Sequence, residues 1–203
     1  MLKAHGTDIE VLEAENGRTA VQMAATELPD VVVMDLSMPE LNGIDATRQI
    51  VGANPKVKVV ALSAYSDRRR IAEVFKAGAS AYLPKDAAFE ELAAAVRAVI
   101  ANQVYLSRQI ADTLIDDQLR PPASADALPT GTMGVYDRLT PREREVLQLI
   151  AEGKATKEVA ALLHVSVKTA ETHRRSIMEK LSLDSVAELT KYALREGLTS
   201  LDV

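Results

Sequence analysis

The stretch Val31-Val32-Val33-Met34 is a short apolar run, and a carboxylate, Asp35, follows it directly. A continuous run of this kind predicts a strand that is buried on both faces of a parallel sheet. Similar runs occur at Ile9–Glu13, Val57–Leu62 and Ala79–Leu83. Stretches with helical periodicity alternate with these runs, namely Arg18–Glu27, Ile44–Val51, Arg68–Lys76 and Phe89–Ala101. The alternation predicts a doubly wound α/β fold around a parallel sheet.

Polar side chains stand at the ends of three of these strands. Asp35 follows the first quoted run, Ser63 follows Val57–Leu62, and Lys85 comes shortly after Ala79–Leu83. An aspartate at a strand end is often only a cap or turn residue. Ligands of doubly wound sheets, however, bind at the carboxyl ends of the strands. A carboxylate, a hydroxyl and an ammonium that meet there are suited to bind or transfer an anionic group.

The composition excludes several classes of protein. The chain has 203 residues and no cysteine, so disulfides, thiolate metal sites and a cysteine nucleophile are excluded. No apolar run reaches about 18 residues, which argues against a membrane span. Aromatic residues are 3% of the chain, with no tryptophan, so a stacking platform for single-stranded nucleic acid is not expected. The net charge of -5 rules out a basic footprint over the whole chain.

The segment after residue 139 reads as an all-helical domain. Thr140 and Glu143 form a capping box with Pro141 at the first helical position, and Gly153 ends that helix. Further helices are predicted over Lys157–Leu163, Val167–Leu181 and Ser185–Glu196. Four helices with a tight turn between the second and the third indicate a helix-turn-helix.

The third of these helices has two different faces at about 100° per residue. Its apolar face carries Ala170, Ile177 and Leu181. The opposite face is polar and consists of Lys168, Glu171, Thr172, Arg175 and Glu179. Such a face is often only a solvated surface, and the helix-turn-helix order is what favours contact with DNA.

A segment rich in helix breakers separates the two halves. Arg120–Ser124 and Leu128–Gly131 contain proline, serine and glycine, which are typical of a flexible linker, and a connecting helix is predicted before it over Ser107–Leu119. We therefore expect a first domain over residues 1–101, a connecting helix and linker over 102–138, and a second domain over 139–203.

The first domain resembles the receiver domain of bacterial response regulators. The resemblance covers residues 9–101 and is carried by three motifs in the order found in that family, which are Asp35–Pro39 with Asn42-Gly43, Leu62–Ala64, and Gly78–Asp86. It implies a flavodoxin-like fold. It also implies that Asp35 accepts a phosphoryl group, that Ser63 and Lys85 contact it, and that Tyr82 is the switch aromatic.

The N-terminal end departs from the receiver pattern. The resemblance implies an apolar strand that ends in two adjacent acidic residues, followed by a helix, and nothing before Asp35 has this form. Met1–Ala4 is interpreted as the end of the missing helix, so we expect an unfilled gap between Ile9–Glu13 and the strand at residues 31–34. The missing acids would hold the Mg²⁺ that phosphorylation requires, and Asp35 with the carbonyl of Ser37 makes a poor site alone.

Three explanations of this departure are open. Met1 is an internal methionine of a longer protein, the receiver is degenerate, or another chain supplies the strand. We favour the first, because Asp35, Ser63 and Lys85 are intact. We expect this chain to accept phosphate from acetyl phosphate poorly, in contrast to a version that is extended upstream.

The second domain resembles the LuxR-type domain of NarL/FixJ response regulators, on the sequences of Leu139–Leu147 and Val167–Met178. The resemblance covers residues 139–198 and implies that the third helix enters the major groove with Glu171, Thr172 and Arg175 towards the bases. Phosphate contacts are expected from Lys157, Lys168, Thr169 and Arg174. His173 is expected to pack or to touch a phosphate, and His164, in the turn, to be structural.

Both resemblances together imply a transcription factor of a two-component system rather than an enzyme. A sensor histidine kinase would phosphorylate Asp35, and this would control dimerisation and binding to promoter double-stranded DNA. The last helix would carry the dimer contact, although Val186, Leu189 and Ala193 suit a plain domain core equally well. We expect a homodimer when the protein is active, a cytoplasmic location and no membrane partner.

The sequence is also compatible with two other functions. The first is a DNA-binding regulator that is independent of phosphorylation and uses a degenerate receiver for dimerisation, which the missing acidic pair favours. The second is a phosphatase with Asp35 as the nucleophile. Such hydrolases usually carry a second acid two residues further on, where this chain has Ser37.

Overall fold

A computed structural model of the chain describes residues 1–5, 8–64, 67–112 and 138–199. The chain divides into two compact units, of which the first consists of Met1–Leu36 and Gly43–Thr130 and the second of Ser37–Asn42 and Gly131–Val203. The breaker-rich linker and residues 113–119 of the predicted connecting helix lie outside the described residues. The domain boundaries given above therefore stay a prediction.

The first unit contains a six-stranded sheet in the order β2-β1-β3-β4-β5-β6. The strands are β1 (Leu2–His5), β2 (Asp8–Val11), β3 (Val31–Asp35), β4 (Lys58–Ser63), β5 (Ala81–Pro84) and β6 (Tyr105–Leu106). Four helices connect the strands from β2 to β6, which are α1 (Gly17–Glu27), α2 (Gly43–Ala53), α3 (Arg68–Lys76) and α4 (Phe89–Ile100). Strands β3 to β6 are parallel, so the predicted fold class is confirmed for this unit.

The core of the sheet follows the alternation of side chains along each strand. On one face, Val31, Val60 and Leu83 pack with Ala95 and Val99 of α4. On the other face lie their buried neighbours in sequence, which include Val32, Met34, Val59, Ala61 and Tyr82. Because successive side chains of a strand point to opposite faces, a continuous apolar run is required where both faces are covered.

The N-terminal residues correct the sequence prediction. Leu2–His5 is a strand, not the end of a helix, and it lies between β2 and β3 in the position that we expected to be an open gap. It pairs with β2 in antiparallel orientation and is registered to β3 through the pair Leu2↔Val31. The physical reason is that the edge of β3 offers unpaired backbone groups, which the nearest extended segment satisfies. Accordingly, the backbone N–H of Asp30 donates to Leu2 O at 3.1 Å.

The second unit is all-helical, as predicted. Its helices are α5 (Pro141–Ala151), α6 (Thr156–Leu162), α7 (Val167–Leu181) and α8 (Val186–Arg195). Both predicted capping boxes are present, at Thr140 with Glu143 and at Ser185 with Glu188. Gly153 follows α5 with a φ of +83°, the left-handed conformation that glycine adopts without strain.

One apolar core holds these four helices together. Its fully buried members include Val146, Leu147, Leu149, Val159, Ala170, Ile177, Leu189, Ala193 and Leu198. Leu189 and Ala193 of α8 are therefore core residues, as predicted if that helix is part of the domain core. Val186 is not, since it is 40% exposed at the start of α8.

Candidate functional site

The three polar residues predicted at strand ends come from adjacent strands of the sheet. Asp35 ends β3, Ser63 ends β4 and Lys85 directly follows β5. The ammonium Nζ of Lys85 lies 2.7 Å from Oδ2 of Asp35, and the two side chains are 41% and 35% exposed. The backbone N–H of Lys85 also donates to Ser63 O at 2.9 Å. The site is thus an ion pair that solvent reaches, with a hydroxyl on the strand between its partners.

Ser63 is 2% exposed and connects this ion pair to the predicted switch aromatic. Its hydroxyl shares a hydrogen bond with the hydroxyl of Tyr82, whose side chain is buried inside the unit. Burial raises the pKa of Tyr82 above its usual value, although the bond to Ser63 opposes that shift. The raised pKa favours the neutral, protonated form of the Tyr82 hydroxyl.

The segment after β3 approaches the site so closely that only glycine fits at its end. A Cβ added to Gly43 would lie 2.1 Å from the backbone oxygen of Asp35. The backbone N–H of Gly43 donates to Leu36 O at 3.1 Å, which fixes the turn between β3 and α2. The Asn42-Gly43 motif of the sequence thus has a packing reason, which is the close approach of α2 to the carbonyl of Asp35.

The donor set does not fit a preformed magnesium site. Mg²⁺ prefers an octahedral shell of oxygen ligands. Over the described ranges, no group of three or more histidine, cysteine, aspartate or glutamate residues is placed to hold a metal ion. Asp35 is in addition paired with Lys85, whose charge competes with a cation. That Asp35 and the carbonyl of Ser37 make a poor site on their own stays a prediction.

Helix α7 presents the polar face that its periodicity predicts. Lys168, Glu171, Thr172, Arg175 and Glu179 are all exposed. Ala170, Ile177 and Leu181, on the opposite face, are at most 6% exposed and belong to the core of the unit. One side of the helix is therefore fixed by packing and the other is available to a partner.

Contacts within α7 orient part of that face. The Thr172 hydroxyl donates to Lys168 O at 2.9 Å, so it is used inside the helix. Thr169 is part of the helix cap, where its N–H donates to the Ser166 hydroxyl at 3.0 Å. Arg174 and His173 are half-buried, and Lys157 is exposed on α6. A cleft of about 510 Å³ runs along the C-terminal half of the face, lined by Glu171, Arg174, Arg175, Met178, Glu179, Ser182, Leu183 and Asp184.

An ion pair that the sequence did not reveal ties α5 to α7. Lys180 Nζ lies 2.7 Å from Oε2 of Glu143, and the Ser176 hydroxyl donates to Oε1 at 2.8 Å. Burial alone would raise the pKa of Glu143, but hydrogen bonds from Lys180, from the Thr140 N–H and from Ser176 outweigh it and lower the pKa to about 2. Glu143 therefore serves both the cap of α5 and the attachment of α7. Only its capping role has a signal in the sequence.

Comparisons with known proteins agree with both units. Residues 1–97 match the family described as response regulator receiver domain, and residues 137–193 match the luxR family of bacterial regulatory proteins. Oxygen regulatory protein NreC of Staphylococcus carnosus (strain TM300) is 39% identical over 193 residues, which are 94% of this chain and 88% of that protein. Transcriptional regulatory protein MctR of Rhizobium johnstonii is 34% identical over 183 residues, or 90% of this chain and 79% of its own.

A solved structure is also similar. The crystal structure of a LuxR-family two-component response regulator from Aurantimonas sp. SI85-9A1 is 30% identical, with a TM-score of 0.51, and covers 54% of this chain and 79% of that one. Among the described helices, none is long and apolar enough to cross a membrane.

Proposed function

Since the chain belongs to the NarL/FixJ-type bacterial response regulators, with a receiver domain and a LuxR-type DNA-binding domain, we propose that phosphorylation of Asp35 controls its binding to promoter DNA. The observation that carries this proposal is the solvent-accessible ion pair of Asp35 and Lys85, with Ser63 on the strand between them. This group of side chains stands at the edge of the sheet where doubly wound folds bind ligands.

The chemistry of the site follows from its charges. A carboxylate oxygen of Asp35 attacks the phosphorus of a phosphohistidine on a sensor kinase. The new O–P bond forms as the P–N bond breaks, and the imidazole leaves with the electron pair of that bond. The Lys85 ammonium and the Ser63 hydroxyl stabilise the charge of the transferred group. Receiver domains generally use Mg²⁺ for this reaction, and the described donors offer such an ion few ligands.

The DNA-binding role is assigned to the exposed face of α7. Arg175 can donate to guanine, Glu171 can accept from cytosine N4, and the methyl group of Thr172 can touch thymine, since its hydroxyl is occupied in the helix. Phosphate contacts are assigned to Lys157, Lys168, Thr169 and Arg174. A homodimer would read two half-sites related by twofold symmetry. Because its partners are promoter DNA and a kinase, we propose that the protein works in the cytoplasm.

A second candidate function has a specific observation in its favour. The described residues lack a set of metal ligands beside Asp35. A receiver of this kind would act as a dimerisation module, and the protein would bind DNA independently of phosphorylation. The two functions differ in whether removal of the Asp35 carboxylate changes DNA binding.

Phosphoryl labelling tests the assignment of Asp35. The 203-residue chain is incubated with radiolabelled acetyl phosphate and Mg²⁺, and the acyl phosphate is released by hydroxylamine and mapped. We expect slow labelling at Asp35 and none in the Asp35→Asn variant. Asp30→Asn is the matched control, since Asp30 is exposed next to the opposite end of β3. Equal labelling of Asp35→Asn and the wild type would refute the assignment.

A DNA-binding measurement distinguishes the two candidate functions. Binding to a promoter fragment is measured with and without acetyl phosphate, for the wild type and for Asp35→Asn. We expect the phosphoryl donor to increase the affinity of the wild type only. Equal affinities under all conditions would favour the phosphorylation-independent regulator.

A further inference from the structure

Strand β6 extends the sheet and leads the chain back to the phosphoacceptor edge. It is parallel to β5, with Tyr105 opposite Ala81 and Leu106 opposite Tyr82. The backbone N–H of Ser107 donates to Tyr82 O at 3.1 Å. Because parallel strands end at the same edge of a sheet, the residues after β6 emerge beside the ends of β4 and β5.

The residues that follow β6 form a helical turn, which we call the linker turn (residues 107–112). Ser107 starts it, since its side-chain oxygen accepts from the N–H of Ile110 at 3.3 Å. Ser107 is 0% exposed and Ile110 is 1% exposed. The side chain of Arg108, by contrast, is 94% exposed. One side of the linker turn is therefore packed into the first unit, and the other side faces solvent.

The linker turn forms a wall of a cavity at the phosphoacceptor site, to which exposed Gln109 and buried Ile110 contribute. The cavity has a volume of about 260 Å³, and Gln109 and Ile110 line it on the side of the turn. The remaining lining residues are Ser63, Ala64, Pro84, Lys85 and Asp86. Ser63 and Lys85 thus contribute both to this cavity and to the site around Asp35, from which Lys85 Nζ is 2.7 Å distant.

We propose that the linker turn positions Ser63 and Lys85 for the phosphoryl reaction, and that the state of Asp35 in turn changes how the turn is docked. This inference rests on the proposed phosphorylation of Asp35. A phosphoryl group adds negative charge at Asp35 and draws the Lys85 ammonium and the Ser63 hydroxyl towards it. Both groups then move relative to Gln109 and Ile110. Coupling between two sites is reciprocal, so a change in the turn also changes the site.

Hydrogen exchange of the full chain tests the first direction of the coupling. The readout is the exchange rate of peptides that cover residues 105–112, in the wild type and in Asp35→Ala. Asp35 does not line the cavity but is ion-paired with Lys85, which does, so we expect its effect on the turn to pass through Lys85. We expect exchange to be at least about threefold faster in Asp35→Ala, because Lys85 loses its ionic partner and no longer holds the cavity wall. Asp30→Ala, which removes a carboxylate next to the opposite end of β3, should leave the exchange unchanged. Unchanged exchange in Asp35→Ala would overturn the proposal.

The lifetime of the acyl phosphate tests the reverse direction. Gln109→Ala and Arg108→Ala are neighbouring substitutions in the linker turn, and only the first affects a residue that lines the cavity. After labelling with acetyl phosphate, we expect the half-life in Gln109→Ala to differ from that of the wild type by at least about twofold, because Lys85 loses a neighbour that limits its position beside the acyl phosphate. Arg108→Ala should match the wild type, and the melting temperatures of all three should agree.

The two measurements separate this inference from the proposed function. If Asp35 is not labelled at all, the proposed function fails, and the exchange experiment still decides whether the turn and the site are coupled. If Asp35 is labelled normally while Asp35→Ala leaves the exchange of the linker turn unchanged, the proposed function stands and the inference falls. Equal half-lives in Gln109→Ala and Arg108→Ala would likewise overturn the positioning role of the turn.

Discussion

Helix α2 contains two glycines at which the same substitution, to alanine, should have opposite effects on stability. Gly43 lies at the start of the helix, and a Cβ there would be 2.1 Å from the backbone oxygen of Asp35. Gly52 lies near the end of the helix, and a Cβ there would meet nothing within 4 Å. The variants Gly43→Ala and Gly52→Ala therefore share the change in helix propensity and differ in the space that receives the methyl group.

The magnitudes follow from these surroundings. Alanine inside a helix is more favourable than glycine by about 0.5–1 kcal/mol, so Gly52→Ala should increase the free energy of unfolding by up to that amount. At Gly43 the methyl group overlaps a backbone oxygen that no side-chain rotation can move. Overpacking of this kind costs about 1–3 kcal/mol or more. We expect Gly43→Ala to lower the melting temperature of the first unit by roughly 4–8 °C per kcal/mol lost, the proportion for a domain of this size.

Thermal and urea unfolding, followed by circular dichroism, measure both variants against the wild type. The second unit carries neither substitution, and its transition serves as an internal reference. Because the overlap is with the carbonyl of Asp35, Gly43→Ala should also reduce phosphoryl labelling of that residue. If Gly43→Ala is as stable as Gly52→Ala, the close approach of α2 to β3 is wrong, and with it our account of the Asn42-Gly43 motif.

Three further outcomes follow from the second unit. Glu143→Gln should lower the free energy of unfolding at pH 7 by at most about 3 kcal/mol, since the pKa of the carboxyl is lowered from 4.5 to about 2 on folding. This stabilisation is present above pH 4.5 and is lost as the pH falls towards 2, so the stability difference between wild type and variant should shrink over that range in pH-dependent unfolding. A stability loss equal to that of exposed Glu179→Gln would contradict the hydrogen bonds assigned to Glu143. Arg175→Ala should cost about 1–3 kcal/mol of DNA binding and relax specificity at one base position, as measured with a set of operator variants; an unchanged base preference would remove Arg175 from the base-reading set. Lys168→Ala should weaken binding to all DNA sequences about equally and reduce the slope of log binding constant against log salt concentration by about one. A loss of affinity confined to one sequence would contradict a phosphate contact.

Local patterns predicted the helices well, because caps and periodicity lie within a few residues. The predicted ranges of α3 and α7 agree with the structure at both ends. In each case a polar cap, Asp67 or Ser166, accepts a hydrogen bond from the first turn, which fixes the start of the helix. The exposed face of α7 followed from its wheel alone, since one apolar side suffices to determine which side is left for solvent.

Pairings over long distances in the chain were not predictable in this way. Strand β1 was interpreted as the end of a helix, and β6 has only two residues, which is too short to show a pattern. Their positions depend on backbone groups that the edges of the sheet leave open, and those edges exist only after folding. Glu143 and Lys180 are 37 residues apart, and no periodicity relates them. The proximity of the site residues could be predicted although they are far apart in sequence, because the carboxyl ends of parallel strands lie at the same edge of the sheet.

Two carboxylates of the chain show that surroundings, rather than pairing distance, determine what an acidic group can do. Asp35 and Glu143 each have a lysine ammonium at 2.7 Å. The side chain of Glu143 is 6% exposed, and its two oxygens also accept from Ser176 and from the backbone of Thr140. These bonds occupy its lone pairs and leave no path for an incoming group, so it can only stabilise the fold. The side chain of Asp35 is 35% exposed beside a lysine that is 41% exposed, so a phosphoryl donor can approach its oxygens. A carboxylate surrounded by donors on all sides would be a poor nucleophile even at the edge of the sheet, and accessibility is therefore the property that makes Asp35 the candidate.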